Sequence, residues 1–198
     1  MRIVAGSRRG ARLAPLAGRE TRPTASRTRT AAFDLLDGGR FGQPYPGRLV
    51  VDGFAGTGAL GLEALSRGAD HAVFIESEPA ALRVLARNIR SLGFEEQATV
   101  IAADATRLGT AASGVAGLVL LDPPYGSGLA APCLAALRRC GWIGADTVVV
   151  IETARRYPVA LPDWLELVDD RAHGAARLQV ARPLPQACQP VLDQPARD

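Results

Sequence analysis

The chain has 198 residues, 47% of them hydrophobic and 22% charged, with a net charge of +3. That length suits one domain with a substantial core and excludes two large ones, while the composition excludes disorder throughout and fibrous repeats. No apolar run reaches the roughly 18 residues of a membrane-spanning helix, and the start MRIVAGSRRG lacks the apolar centre of a secretion signal, so a cytoplasmic protein with no membrane partner is expected.

The charge is unevenly placed. The first 30 residues hold eight arginines and one acid, Glu20, a net +7, so the other 168 residues sum to −4. All 23 cationic residues are Arg and none is Lys, which a GC-rich genome produces without any function; the clustering carries the information. The cysteines Cys133, Cys140 and Cys188 are odd in number and form no CxxC pair. This argues against a disulfide framework and a zinc site, and no metal is expected.

In chain order, residues 1–47 form a basic arm. The apolar pair Ile3-Val4, a Gly-containing turn and a return at Leu13 predict a hairpin. A helix should follow, capped by Thr24 or Ser26, with Ala31, Ala32, Phe33, Leu35 and Leu36 on its apolar face and Gly38-Gly39 ending it. From 48 to 182 short β-branched runs alternate with helical stretches, the pattern of a parallel sheet. Strands are predicted over 49–52, 72–76, 99–102, 118–121 and 147–151, and helices over 59–67, 79–92 and 129–139, with a weaker one at 105–108. The runs 165–168 and 177–181 are too close for a crossover helix and should pair antiparallel at the sheet edge. The fold class is α/β: a seven-stranded, mostly parallel sheet with an antiparallel edge strand. Residues 183–198, rich in Pro and Gln, are predicted to be disordered.

Ligands of open parallel sheets bind outside the carboxyl ends of the strands. After the first strand comes Asp52-Gly53-Phe54-Ala55-Gly56-Thr57-Gly58-Ala59-Leu60-Gly61. Gly56, Gly58 and Gly61 satisfy the G-x-G-x-x-G spacing, with Glu76 20 residues after Gly56. A dinucleotide site sets a pyrophosphate at the strand end, where Asp52 would repel it. The same carboxylate attracts the ammonium and sulfonium of S-adenosylmethionine, so that ligand is the better fit. Glu76 suits ribose hydroxyls. Asp104, before Ala105, suits either an adenine amine or a helix N-cap, and the sequence leaves both open. Phe54, Ala55, Gly56, Thr57, Gly58 and Ala105 complete the candidate cofactor contacts.

Asp122-Pro123-Pro124-Tyr125 follows the fourth strand. An exocyclic amine of a nucleobase is a poor nucleophile, and making it attack a methyl group requires holding the nitrogen in line and stabilising positive charge on it. Asp122 can accept one amine hydrogen and the Pro123 carbonyl the other, with the two prolines fixing both acceptors. Tyr125 offers a stacking face for an extruded base. Arginine binds phosphate bidentately and stacks on unpaired bases, so the arm supplies candidate RNA contacts at Arg2, Arg8, Arg9, Arg12, Arg22, Arg27 and Arg29, with Thr24 beside them.

Arg2-Ile3-Val4 with Arg9-Gly10, Thr21-Arg22-Pro23-Thr24 with Arg27 and Arg29, the stretch from Phe54 to Gly68, and Asp122-Pro123-Pro124-Tyr125 together resemble the RsmD-type 16S ribosomal RNA guanine-N2 methyltransferases, over residues 1 to about 182. The resemblance implies a Rossmann-like class I fold, S-adenosylmethionine as cofactor with S-adenosylhomocysteine as product, and 16S rRNA in an assembled or assembling small ribosomal subunit as substrate. No obligate protein partner is evident in the sequence, and a monomer is expected. Ser26, Thr30 and Asp34 stand where the family usually has Asp, Glu and Asn, and His173-Gly174-Ala175-Ala176-Arg177 stands where Gly-Asp-Thr-Arg is common. A nucleotide-dependent oxidoreductase leaves Asp52 and Asp-Pro-Pro-Tyr unexplained. A DNA or other RNA amine methyltransferase would use the same chemistry, but 47 arm residues leave little room for a DNA-recognition region. A protein-glutamine methyltransferase typically has Asn in place of Asp122. A non-catalytic RNA-binding assembly factor is disfavoured by the intact Asp122 and Tyr125.

Overall fold

The computed structural model of the protein describes residues 1–16, 23–109, 112–124 and 126–185, with the first helix's side chains described from Ser26 onward. The readings made for Arg22, the side chain of Thr24, Tyr125 and nearly all of the Pro- and Gln-rich end therefore lie outside the described residues.

Seven strands form one sheet: β1 (Leu49–Asp52), β2 (His71–Glu76), β3 (Ala98–Ala102), β4 (Leu118–Leu121), β5 (Val148–Ala154), β6 (Leu165–His173) and β7 (Ala176–Pro183), in the spatial order β3-β2-β1-β4-β5-β7-β6. The first five are parallel to their neighbours, and β7 pairs antiparallel with both β5 and β6. The central strands read as unbroken apolar runs because helices cover both of their faces. Val50, Leu118, Leu120, Val148 and Val150 face one apolar cluster with Phe33, Leu36, Leu62, Phe74 and Leu85. Val51, Val119, Leu121, Val149 and Ile151 face the other, with Cys133, Leu134, Leu137 and Trp142. The helices are α1 (Pro23–Asp37), α2 (Ala59–Ser66), α3 (Pro79–Leu92) and α4 (Ala130–Arg139).

The basic arm belongs to the first cluster. The Ile3 N–H donates to the Ala11 carbonyl at 3.0 Å and the Gly10 N–H to the Ile3 carbonyl at 2.9 Å, closing the expected hairpin. Ile3 and Leu13 are 2% and 3% exposed. Burying two such side chains contributes roughly 1.5–3 kcal/mol each, enough to hold the hairpin down. At its tip Gly6 has φ +80°, and a Cβ there would lie 1.8 Å from the Ser66 carbonyl oxygen, so only glycine allows the tip to sit on the end of α2.

Three local expectations change. α1 begins at Pro23, whose fixed φ suits a first helical position, so Thr24 and Ser26 lie within the helix rather than ahead of it. Residues 105–108 form a turn, with the Arg107 N–H on the Asp104 carbonyl at 3.0 Å; four residues ahead of Gly109 are too few to propagate a helix. The edge pair is longer than the two apolar runs, because Arg171 and Arg177 bind Asp169 and Asp170 along it and carry the pairing through polar sequence.

Candidate active site

β2, β1 and β4 are adjacent and parallel, so their carboxyl ends bring Glu76, Asp52 and Asp122 to one edge of the sheet. Asp52 is 1% exposed. One of its oxygens, Oδ2, accepts the Gly61 N–H at 3.0 Å, tying the first turn of α2 to the end of β1. The other, Oδ1, is buried and makes no well-formed hydrogen bond among the described residues, with the Phe54 N–H a weak neighbour of the carboxyl. Burial above all raises its pKa to about 7; the Gly61 and Phe54 N–H groups oppose the shift, and the charges of Asp122 and Glu76 add to it. Asp52 is thus a buried carboxyl at the strand end that anchors the first turn of α2, where its charge would attract a cationic ligand as the sequence reading expects.

The glycine loop fills the corner between the strands. Gly53 donates to the Leu120 carbonyl at 2.9 Å and Ala55 to the Ile75 carbonyl at 3.0 Å, so the loop is pinned to both neighbours of β1. Gly58 has φ +82°, and a Cβ there would meet Leu85 Cδ1 at 2.4 Å. Gly56 also has positive φ, but its Cβ position meets only the Phe54 carbonyl at 4.0 Å; here the backbone faces open space that a ligand can occupy. Phe54 and Thr57 are half-buried, and Ala55 and Ala105 are buried in the two apolar clusters.

Glu76 holds this loop rather than standing apart from it. Its Oε2 accepts the Gly56 N–H at 2.7 Å, and its Oε1 accepts those of Ser77 and Glu78 at 2.8 Å each. A carboxylate has about four acceptor positions, so a ribose diol taking two of them would displace one of these three bonds. Asp104 is half-exposed, and its Oδ1 accepts both the N–H and the hydroxyl of Thr106, which hold its pKa below the ordinary range. It caps a turn, with Oδ2 facing Arg107 at 4.0 Å. On the fourth strand Pro123 is buried while Asp122 and Pro124 are exposed. A loop with open backbone, three carboxylates at neighbouring strand ends and a buried oxygen without a well-formed hydrogen bond fit a ligand that carries positive charge and a diol, and would repel a pyrophosphate.

The arginines of the arm divide. Arg2, Arg12 and Arg27 are exposed. Arg8 and Arg9 are also exposed, but Arg8 donates to the Leu92 carbonyl at 2.6 Å and its backbone N–H to the Ser66 hydroxyl at 3.0 Å, which places that turn at the far ends of α2 and α3, beside the amino ends of the strands. Arg29 does not reach the surface. It is 2% exposed, its Nη2 donates to the Arg2 carbonyl at 2.5 Å, and its Nε lies 3.5 Å from Glu63. Burial lowers its pKa, while Glu63 opposes that shift. It is an internal strut and not an RNA contact.

Two residues that the sequence did not single out build the site's frame. Glu63, on α2 and fully buried, accepts the N–H groups of Val4 and Ala5 at 2.8 and 3.0 Å and the Arg67 Nε at 2.8 Å, joining the arm to α2. Asn88 on α3 accepts the Ala14 N–H at 2.8 Å and donates to the Thr57 carbonyl at 2.9 Å, joining the arm to the glycine loop. The signal for Glu63 was an acid inside an otherwise apolar helix; nothing local marked Asn88. Among the described residues no group of three or more His, Cys, Asp or Glu is placed to hold a metal, and no helix is long and apolar enough to cross a membrane.

The family model described as "Conserved hypothetical protein 95" matches residues 1–182. Ribosomal RNA small subunit methyltransferase D of Haemophilus influenzae is 31% identical over 178 residues, 88% of this chain and 89% of the relative. The protein of the same name from Escherichia coli K12 is 31% identical over 153 residues, 77% and 74% of the two chains. The solved yhhF chain of Escherichia coli aligns with a TM-score of 0.78 at 28% identity, covering 92% of this chain and 97% of that one. Magnesium protoporphyrin IX methyltransferase of Synechocystis PCC 6803, solved with bound SAM, shares the fold alone, with a TM-score of 0.60 at 16% identity and coverage of 81% and 80%.

Proposed function

The chain belongs to the RsmD-type ribosomal RNA methyltransferases, the family described as "Conserved hypothetical protein 95", and from that premise we infer that it methylates the exocyclic N2 of one guanine in 16S rRNA, within an assembled or assembling small subunit, in the cytoplasm. The observation that carries this reading is the placement of Asp122-Pro123-Pro124 at the carboxyl end of β4, beside the glycine loop and the acids of β1 and β2.

S-adenosylmethionine, when bound, supplies a methyl group made electrophilic by its sulfonium. Asp52, Glu76 and the loop from Phe54 to Gly58 are the residues that would hold it, with Asp104 and Ala105 beside the adenine. Their negative charge favours a cation, and no metal is needed for a nitrogen nucleophile of this kind. Asp122 and the Pro123 carbonyl are both acceptors. They hold the two hydrogens of a guanine amino group, turn its lone pair toward the methyl side and stabilise the charge that grows on nitrogen. The proton lost from that nitrogen leaves through Asp122 to water. Tyr125 is proposed as the stacking surface for the extruded base. The protein is proposed to act as a monomer.

The test is methyl transfer from labelled S-adenosylmethionine to small subunits isolated from cells lacking the modification, with protein-free RNA and DNA in parallel and nucleoside analysis of the product. N2-methylguanosine in the subunit sample is the expected result. Label in adenine or cytosine would overturn the target atom, and cofactor binding without label would favour a non-catalytic RNA-binding role.

A further inference from the structure

A cleft of about 600 Å³ is lined by Met1 to Val4, by Ser26, Arg27, Thr30, Ala31 and Asp34 of α1, and by His173. Three separate parts of the chain meet there: the arm, α1 and the turn between β6 and β7. Its position in the sheet is fixed by register. Ala176, the first residue of β7, pairs with Ala154, the last residue of β5, so the turn carrying His173 stands at the carboxyl end of β5, next to the strand end that bears Asp122. The cleft therefore opens at the working edge of the sheet, at the carboxyl end of β5.

Its lining has the chemistry of a nucleotide site. Arg27 and Arg2 are exposed cations at its mouth, and Arg2 uses one nitrogen to hold the Gly10 carbonyl at 2.6 Å, which leaves its other nitrogens directed donors. Asp34 is an exposed acceptor, one helical turn from Thr30, whose hydroxyl donates to the Ser26 carbonyl at 2.9 Å. His173 is half-buried and presents an aromatic ring from a turn. The side chains of Arg27, Asp34 and His173 make no hydrogen bond or ion pair among the described residues, while their backbones belong to α1 and β6. Phosphate suits the two arginines, an amino-bearing base edge suits Asp34, and a base face suits His173. An apolar protein segment would leave all these groups unpaired.

Resting on the reading of this chain as a ribosomal RNA methyltransferase, we propose that the cleft seats an unpaired nucleotide flanking the target guanine, with its phosphate on Arg2 and Arg27, its amino-bearing edge on Asp34 and its ring against His173. Holding a neighbour of the target splays the strand and delivers the guanine to Asp122. The cleft is thus a specificity site, separate from the site of methyl transfer.

The experiment measures Kd of wild type and of Arg27→Gln, Asp34→Ala, His173→Ala and His173→Phe for unmodified small subunits and for protein-free 16S rRNA, with methyl transfer by wild type run alongside. Expected are losses of at least about fivefold for Arg27→Gln, Asp34→Ala and His173→Ala on both substrates, and near-wild-type affinity for His173→Phe, which keeps the stacking face. S-adenosylmethionine affinity should stay within twofold throughout. Unchanged Kd values on both substrates overturn the cleft, as does a loss on subunits alone, which would place a ribosomal protein there. Absence of methyl transfer by wild type overturns the functional reading instead, and the Kd ratios still decide whether the cleft holds RNA; a wild type that binds neither substrate overturns both.

Discussion

Asp52 is a buried carboxyl whose pKa burial pushes up to about 7. A buried carboxyl with a pKa of about 7 favours its protonated form, so its effect on folding is least below pH 4, where the unfolded group is protonated too, and grows as a penalty up to about pH 7. A cationic ligand reverses the preference, because it favours the ionised acid. S-adenosylmethionine binding should therefore release a proton below pH 7, and its Kd should tighten several-fold between pH 6 and 8. Calorimetry in buffers of different ionisation enthalpy checks this, and Asp52→Asn should remove the dependence. Asp122 lies next to Asp52 but in solvent, and its proposed partner is the nucleobase. Asp122→Ala should lower turnover by about 10²-fold or more while S-adenosylmethionine affinity stays within a few fold. Normal turnover in that variant would remove Asp122 from the reaction.

At the scale of elements, α2 is where the arm and the site are joined. Glu63 accepts three N–H donors, and beside it are Arg29 and Arg67, whose side chains are 3% and 9% exposed. Removing the acid leaves a buried guanidinium and two backbone N–H groups without their acceptor. Glu63→Ala should cost about 3–5 kcal/mol, seen as a lower urea midpoint. A cost below 1 kcal/mol would mean that the arm holds itself in place. Most of the elements were legible because each is announced locally: runs of three or four apolar residues for the central strands, Pro79 and Gly93 bounding α3, and glycines at the turns. The strand-end acids were legible for the same reason, since the topology rule converts their place in sequence into a place in space. Arg29 was not. Its neighbours Arg27 and Thr30 are exposed and half-buried, and its partner is an acid 34 positions away. Asn88 was invisible on the same ground, because both of its partners are contributed by other elements.

Over the whole molecule, the arm's charge can act in two ways: as a field that draws in any polyanion, or as a set of phosphate contacts at fixed places. Arg9 and Arg27 separate these ideas, because both are exposed and each substitution removes the same charge. Arg27 lines the cleft at the carboxyl end of the sheet; Arg9 sits in the hairpin turn packed on the far ends of α2 and α3. If the arm acted through net charge, Arg9→Gln and Arg27→Gln would weaken RNA binding equally. If it acts through contacts near the target, Arg27→Gln should weaken it and make the slope of log K against log salt shallower by about 0.7, the share of one phosphate on a single strand. Arg9→Gln should leave the slope unchanged. Titrations from 50 to 200 mM salt distinguish the two outcomes. Equal slopes for the two variants would assign the arm to long-range attraction, and a larger change for Arg9 would mean that the RNA wraps to the opposite end of the sheet.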